Sequence, residues 1–305
     1  GYIIRLSPDY LTDKTLYWCD VGGTDIQLSN SGSDIFANRT AAAALTDLTV
    51  ESKDIVYMAN ANNVYKSTNG AWFFTLPIPA PMPAVYTLAM APTYPEKPKA
   101  GNVLAGGIAG AVGLSTDGGA SFFPLAAGVA SGNMQVCALK DYASSNTVYA
   151  GSNVAGEGIY RYTVGVSTAW EQIDPLAGGP ITGLVSESGV LYGAWSNAPG
   201  SAVDRSLYPG VPDIAAVTFQ PMDVPSLAAV DFGVIPSSLR VAGTATETWL
   251  WAINIAVPSL MAYNDTMAKA IFTPTAPASV PNDPNTGRNL DFTISWAKIS
   301  NALSY

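Results

Sequence analysis

The sequence contains no histidine. That excludes Ser-His-Asp and Cys-His nucleophilic systems and every histidine-bearing zinc site. It has two cysteines in 305 residues, too few for a Cys₄ centre. Charge is scarce as well: Asp, Glu, Lys and Arg make up 12% of the chain, well below the roughly 25% of an ordinary soluble protein. The 14 basic residues stand singly against a net charge of −9. No basic patch can neutralise a phosphate backbone, so nucleic-acid binding is excluded. No run of about 18 apolar residues offers a transmembrane helix, and no G-x-x-x-x-G-K-[ST] loop occurs. The glycine-rich stretch 106–113 has no helical pattern after it and reads as a hairpin.

Glycine (28) and proline (22) are plentiful, as they are in chains of many short strands and turns. Ser115 to Phe122, "STDGGASF", reads as such a turn. Ser115 and Asp117 can bond nearby backbone amides, Gly119 can take a positive φ, and Phe122 can bury its ring as an anchor. The frame recurs with an aromatic seven residues after a Ser or Thr: Ser29 to Phe36, Ser67 to Phe74 (with Asn69 for the acid), Ser115 to Phe122, and Thr163 to Trp170. The starts are 38, 48 and 48 residues apart. Short strands repeat in step: "LYWC" from Leu16, "VYMA" from Val56, "VLAG" from Val103, "VYAG" from Val148, "LYGA" from Leu191 and "RVAG" from Arg240. Each follows another apolar segment and is expected to be the second strand of its unit. A period of about 40–50 residues built from strands predicts an all-β propeller of six four-stranded blades, with a seventh left open.

The Ser-x-Asp-x-Gly-x-x-aromatic frame resembles the Asp-box, or BNR, repeat of sialidase-like β-propellers. The resemblance implies a blade-hairpin turn far from the central pocket. Sialidases of that family clamp a carboxylated sugar with three arginines. Here Arg39, Arg161 and Arg205 fall near outer hairpins, Arg5 on an innermost strand, and Arg288 beyond the propeller, so sialidase activity is not expected. Asp-box propellers that cleave glycans need only two carboxylates about 5–10 Å apart. The candidates are Asp9, Asp47, Asp141 and Asp231, and no pair among them stands out. From Leu6, "LSPDYLTDKTLYW" resembles the first hairpin of this repeat family, where Ser-Pro opens a turn and Asp13 precedes the second strand.

The six units are expected to span residues 2–44, 45–83, 84–131, 132–178, 179–225 and 226–270. In the fifth, "SNAPGSAVDRSLYPGVPD" reads as a long insertion and a candidate interaction surface. In the sixth, Trp249 and Trp251 alternate onto one strand face and are expected to pack in the core, with a sugar-stacking platform as the other reading. The propeller is expected over 1–270 and a Pro/Thr/Asn-rich linker over 271–289. In 290–305, Leu290, Phe292, Ile294 and Trp296 alternate, and a Tyr follows nine residues after the Trp. This resembles the first strands of a fibronectin type III module, an incomplete β-sandwich. Asp283, Asn285 and Asp291 offer oxygen ligands for calcium, against a plain polar turn; no other cofactor is expected. Asn38 and Asn264 head N-glycosylation tripeptides. Cys19 and Cys137 sit in apolar runs of different units and are expected to be buried free thiols.

A surface poor in charge and rich in small polar residues suits an exported protein. The chain opens without an initiating Met or signal peptide and reads as mature or partial, its export signal removed. A propeller followed by a fibronectin-like module resembles surface-layer-type proteins of bacterial cell envelopes. The expectation is a non-catalytic extracellular protein that self-associates or binds other envelope proteins in a layer or filament. The alternative is a carbohydrate-active propeller, a glycoside hydrolase or glycan-binding module.

Overall fold

The computed structural model describes residues 2–33, 35–91, 101–126, 129, 131–139, 141–174, 179–187, 189–197, 200–222, 239–243, 247–254 and 259–266. Within them the chain forms six antiparallel sheets, each a meander with strands in sequence order. The first strands are Tyr2–Leu6, Asp47–Val50, Val85–Met90, Met134–Ala138, Ile181–Glu187 and Arg240–Gly243. The second are Leu16–Asp20, Val56–Ala59, Val103–Gly107, Thr147–Ser152, Val190–Asn197 and Thr248–Asn254. The third are Asp25–Ser29, Asn63–Ser67, Val112–Ser115, Ile159–Thr163, Gly200–Ser206 and Ser259–Asn264. Short fourth strands, Ala37–Thr40, Ile78–Pro79, Phe123–Pro124, Glu171–Asp174 and Gln220–Pro221, complete the first five sheets. All six first strands line one cavity, which marks them as the innermost strands of a six-bladed propeller.

The apolar runs lack a polar alternate because both faces of a blade are covered. Among the described residues, five separate cores lie between successive blades. Ile3, Tyr17, Cys19 and Ile26 of blade 1 meet Leu48, Val56 and Met58 of blade 2. The opposite face of blade 2, with Tyr57 and Val64, packs on Leu88 and Val103 of blade 3. The pattern continues through Leu104 and Leu114 against Val136 and Val148, Tyr149 and Ile159 against Leu184 and Leu191, and Tyr192 and Val203 against Leu250 and Ala252. Cys19 and Cys137 are buried and unbridged, as expected. Burial pushes both thiols up to about 12, so neither is a ready nucleophile at neutral pH.

A tyrosine at the same strand position recurs as a peg between blades. Tyr17, Tyr57, Tyr149 and Tyr192 are all fully buried in second strands. Tyr17 Oη donates to the Lys53 carbonyl of blade 2 at 2.6 Å. Tyr57 Oη reaches the Gly118 carbonyl of blade 3 at 3.3 Å and donates to Glu51 Oε2 at 2.6 Å. Tyr192 Oη donates to Asp265 Oδ2 of blade 6 at 2.9 Å. In blade 3 the position belongs to Leu104.

Ser29, Ser67, Ser115 and Thr163 each close a third strand. In blade 3, Ser115 Oγ donates to Asp117 Oδ1 at 2.9 Å and accepts from Gly119 N at 2.8 Å, while Ser121 N donates to the same Asp117 oxygen at 2.9 Å. Blade 2 repeats these bonds with Ser67, Asn69, Ala71 N and Phe73 N. Gly119 takes φ +77°, and a Cβ there would meet Tyr57 Cε1 at 2.6 Å. Ala71 holds the same left-handed place at φ +61°, a strained one for a residue with a Cβ. Blades 1 and 4 close differently: Ser29 Oγ donates to the Ser33 carbonyl, and Ser167 Oγ accepts from Thr163 N. The aromatic anchors are not equivalent either. Phe74, Phe122 and Trp170 pack against cores, whereas Phe36 is exposed.

Three expectations are corrected. Residues 200–206 of the supposed insertion are the third strand of blade 5, in register with the second from Leu191↔Ser206 to Asn197↔Gly200. Their Gly and Ser residues suggested a loop, but strand pairing overrides that local preference. Arg240–Gly243 is the first strand of blade 6, not its second; Thr248–Asn254 is the second. The stretch between blades 5 and 6 is longer than elsewhere, so the repeat count slips there. Trp249 and Trp251 do not enter the core. They stack on each other, 6.4 Å apart, half-exposed on the face opposite Leu250 and Ala252. The turn expected after Ser7 is there, closed by Tyr10 N donating to the Ser7 carbonyl at 3.0 Å, and it runs on into a single helical turn, Tyr10–Asp13, ended by Lys14 in the left-handed region. Residues 271–305, with the linker, the fibronectin-like strands and the calcium candidates Asp283, Asn285 and Asp291, lie outside the described residues.

Candidate functional site

The inner strand of each blade turns one edge to the propeller axis, where no further strand can pair with it. Side chains take over that bonding and tie neighbouring blades together. Arg5 Nη2 of blade 1 donates to Asp47 Oδ1 of blade 2 at 2.6 Å. The same carboxylate accepts from Leu48 N at 2.8 Å and, through Oδ2, from Leu88 N of blade 3 at 2.7 Å. Thr87 Oγ1 donates to the Met134 carbonyl of blade 4, and Ser186 Oγ of blade 5 to the Ala138 carbonyl, both at 2.7 Å. Asp47 is 1% exposed.

These strands enclose an axial cavity of about 310 Å³. Its polar lining comprises Arg5, Asp47, Thr49, Thr87, Gln135, Ser186 and Arg240; Cys137 and aliphatic side chains supply the rest. Burial, and then the like charge of Arg5, push the Arg240 guanidinium down to about 9, against the pull of Asp47. It remains cationic at neutral pH. Arg240 Nη1 donates to the Leu239 carbonyl at 2.7 Å.

Of the four candidate acids, only Asp47 lines this cavity. Asp9 and Asp141 are exposed residues preceding the one-turn helices Tyr10–Asp13 and Tyr142–Ser145, and Asp231 lies outside the described residues. Of the arginines, Arg5 and Arg240 share the cavity. Arg39 lies over the Trp72 ring, Arg161 pairs with Glu171, Arg205 pairs with Asp265, and Arg288 is outside the described residues. The cavity-lining Gln135 and the inward place of Arg240 escaped the sequence reading. An uncharged Gln in an apolar strand carries no distinguishing pattern, and the slipped strand count hid Arg240.

The glycosylation candidates differ in setting. Asn38 is exposed on the fourth strand of blade 1 and accepts from Gln27 Nε2 at 3.1 Å. Asn264 ends the third strand of blade 6, beside the buried Asp265. Among the described residues no cluster of His, Cys, Asp or Glu could hold a metal ion, and no helix is long and apolar enough to cross a membrane.

A perturbed carboxylate stands away from the cavity. Burial pushes Asp204, on the third strand of blade 5, up to about 6, with Asp174 adding to the rise and the Trp195 indole N–H (2.9 Å) opposing it. A raised pKa means the folded state holds this proton more tightly. The stabilisation is complete below the unfolded value near 4 and is lost as pH rises through about 6. Asp204→Asn keeps an acceptor for Trp195 and removes the titration. It is expected to flatten the fall in stability between about pH 4 and 7 and to gain ~1–3 kcal/mol at neutral pH, read from urea unfolding at both ends of that range. An unchanged pH slope would refute this account of Asp204.

No protein-family profile matches the chain, and no curated protein matches it. Solved structures do. The protein described as YCF48 bound to D1 peptide superimposes with a TM-score of 0.56 at 14% identity, over 88% of this chain and 81% of that one. An ancestral GH74 enzyme gives 0.54 at 15% identity, covering 87% of this chain and 38% of its own. The GH74 enzyme of Niastella koreensis gives 0.52 at 19% identity, over 72% and 37%. At these identities the likeness is one of fold, and the chain spans well under half of either GH74 enzyme.

Proposed function

We propose that this propeller is a non-catalytic structural and interaction protein of the cell surface that associates with copies of itself or with other envelope proteins. The observation that carries the reading is the open face of blade 1. One side of its inner strand packs on blade 2; the other presents Tyr2, Ile4 and Leu6 at 68%, 52% and 49% exposure, with Tyr2 edge-on to Trp18 at 5.8 Å. Contiguous apolar surface of this kind marks an association face. Charged side chains make up only 12% of the chain, and its many small residues permit close lateral packing between copies. Asp47 supports the non-catalytic part of the reading. Both of its oxygens are committed to neighbouring blades, which suits a latch better than a proton donor. The YCF48 structure, a propeller holding a peptide, is a precedent for protein binding by this fold. The Ser-x-Asp hairpins, read as Asp-boxes, are structural turns in this account. Asn38, exposed at the rim, is the sequon expected to carry glycan.

The test is the oligomeric state. The wild-type chain is expected to sediment as an assembly, and Ile4→Ser with Leu6→Ser to yield a folded monomer. A monomeric wild-type protein at high micromolar concentration would overturn the proposal. A second reading, glycan binding, rests on the half-exposed Trp249–Trp251 stack, a platform of the kind sugars use. Quenching of tryptophan fluorescence by oligosaccharides, abolished in Trp251→Ala, would favour it.

A further inference from the structure

We propose that the open face of blade 1 is the seat for residues 290–305 of a neighbouring copy, so that copies join head to tail; this rests on the association reading above and names the segment that meets the face.

The first observation is that blade 1 is packed on one side only. Among the described residues an apolar core joins every consecutive pair from blade 1 to blade 6, and none joins blade 6 to blade 1. On the inner strand Ile3 is buried toward blade 2, while Tyr2, Ile4 and Leu6 recur at every second place on the other side. Trp18 and Leu16 of the second strand stand opposite Ile4 and Leu6 in register and extend that side. The third strand answers them with Gln27 and Ser29, so the apolar patch is two strands wide. The second observation lies in the sequence. Residues 290–305 are outside the described residues, but Leu290, Phe292, Ile294 and Trp296 recur at the same every-second spacing, with Asp291, Thr293 and Ser295 between them. A pair of strands cannot bury its own apolar side. A sheet face of matching spacing and width buries it, and completes a sandwich with the polar alternates turned to water. The connection before the segment holds Pro274, Pro277, Pro281 and Pro284. Proline at this density keeps a chain extended and stiff, which carries the segment outward to a second copy rather than back onto its own. Each copy then gives through one surface and receives through another. A contact of that kind is heterologous and extends into a filament unless its rotation closes a ring.

The test pairs two variants of the chain in sedimentation. Phe292→Ser with Trp296→Ser spoils the donated segment and leaves the blade 1 face intact. Ile4→Ser with Leu6→Ser spoils the face and leaves the segment intact. Each alone is expected to be monomeric, its association weakened about a hundredfold or more. The segment variant is expected to keep the wild-type urea midpoint, because its changes lie outside the six sheets. Mixed, the two variants are expected to form a 1:1 dimer that grows no further, since one sound segment meets one sound face and both remaining ends are dead. A segment variant that assembles as wild type does overturns the proposal while leaving the association reading in place. A mixture that stays monomeric overturns it too, and so does a segment variant that unfolds at a lower urea concentration, which would place the segment on its own chain. A monomeric wild-type protein overturns both readings together.

Discussion

Asp47→Ala is expected to lower the stability of the propeller by about 3–5 kcal/mol, read as a fall in the urea midpoint at unchanged slope. The carboxylate is 1% exposed and joins three blades: Arg5 from the first, its own strand in the second, and Leu88 N in the third. Removing it strands a part-buried guanidinium and two backbone N–H groups at once. Asp47→Asn is expected to fall in between. Its carbonyl oxygen can still accept from Leu48 N, but its N–H₂ then faces the Leu88 N–H, donor against donor. A loss below about 1 kcal/mol for the alanine variant would mean the pair behaves as a surface salt bridge and that the axis is wetter than its burial indicates.

Tyr57→Ala is expected to cost a similar amount, about 3–5 kcal/mol, and the hydroxyl series separates packing from hydrogen bonding. The Tyr57 ring fills the space beneath the hairpin of blade 3, so close to Gly119 that no Cβ fits there. Its hydroxyl serves Glu51 and Gly118. Tyr57→Phe should therefore lose about 1–3 kcal/mol, because the Glu51 carboxylate loses a donor, while the Gly118 carbonyl keeps Lys66 Nζ at 2.8 Å. Tyr149 is the matching peg between blades 4 and 5, and its buried hydroxyl has no partner. Tyr149→Phe should be neutral or stabilising, since it removes a desolvated group that makes no bond. The two Phe variants thus have opposite expected signs at one repeat position. A negligible change at both would show that the ring alone sets the energetics.

The blade count was legible because a repeat writes itself several times. The serines and threonine at positions 29, 67, 115 and 163 fall at the ends of third strands, and the apolar runs beginning at 16, 56, 103 and 191 are second strands. Where the repeat changed length the reading failed, as at Arg240. Where strand residues were small and polar, as in Gly200–Ser206, local preference pointed to a loop and pairing decided otherwise. The pegs were visible as letters and invisible as contacts. Nothing in "VYMA" says which face of a strand buried on both sides will hold the ring, since that is settled by the neighbouring blade. The cavity was harder still. Its Gln, Thr and Ser belong to ordinary strands, and only their convergence from separate blades gives them a common environment.

Among the described residues the apolar cores lie between consecutive blades, so each inner sheet is packed on the one before and the one after. Cohesion of this kind is transmitted from neighbour to neighbour, as in a row of stacked cards. The third and fourth blades, gripped on both sides by gripped blades, make the natural folding nucleus. Among the described residues the first and sixth blades share in one such core each, and they are expected to loosen first.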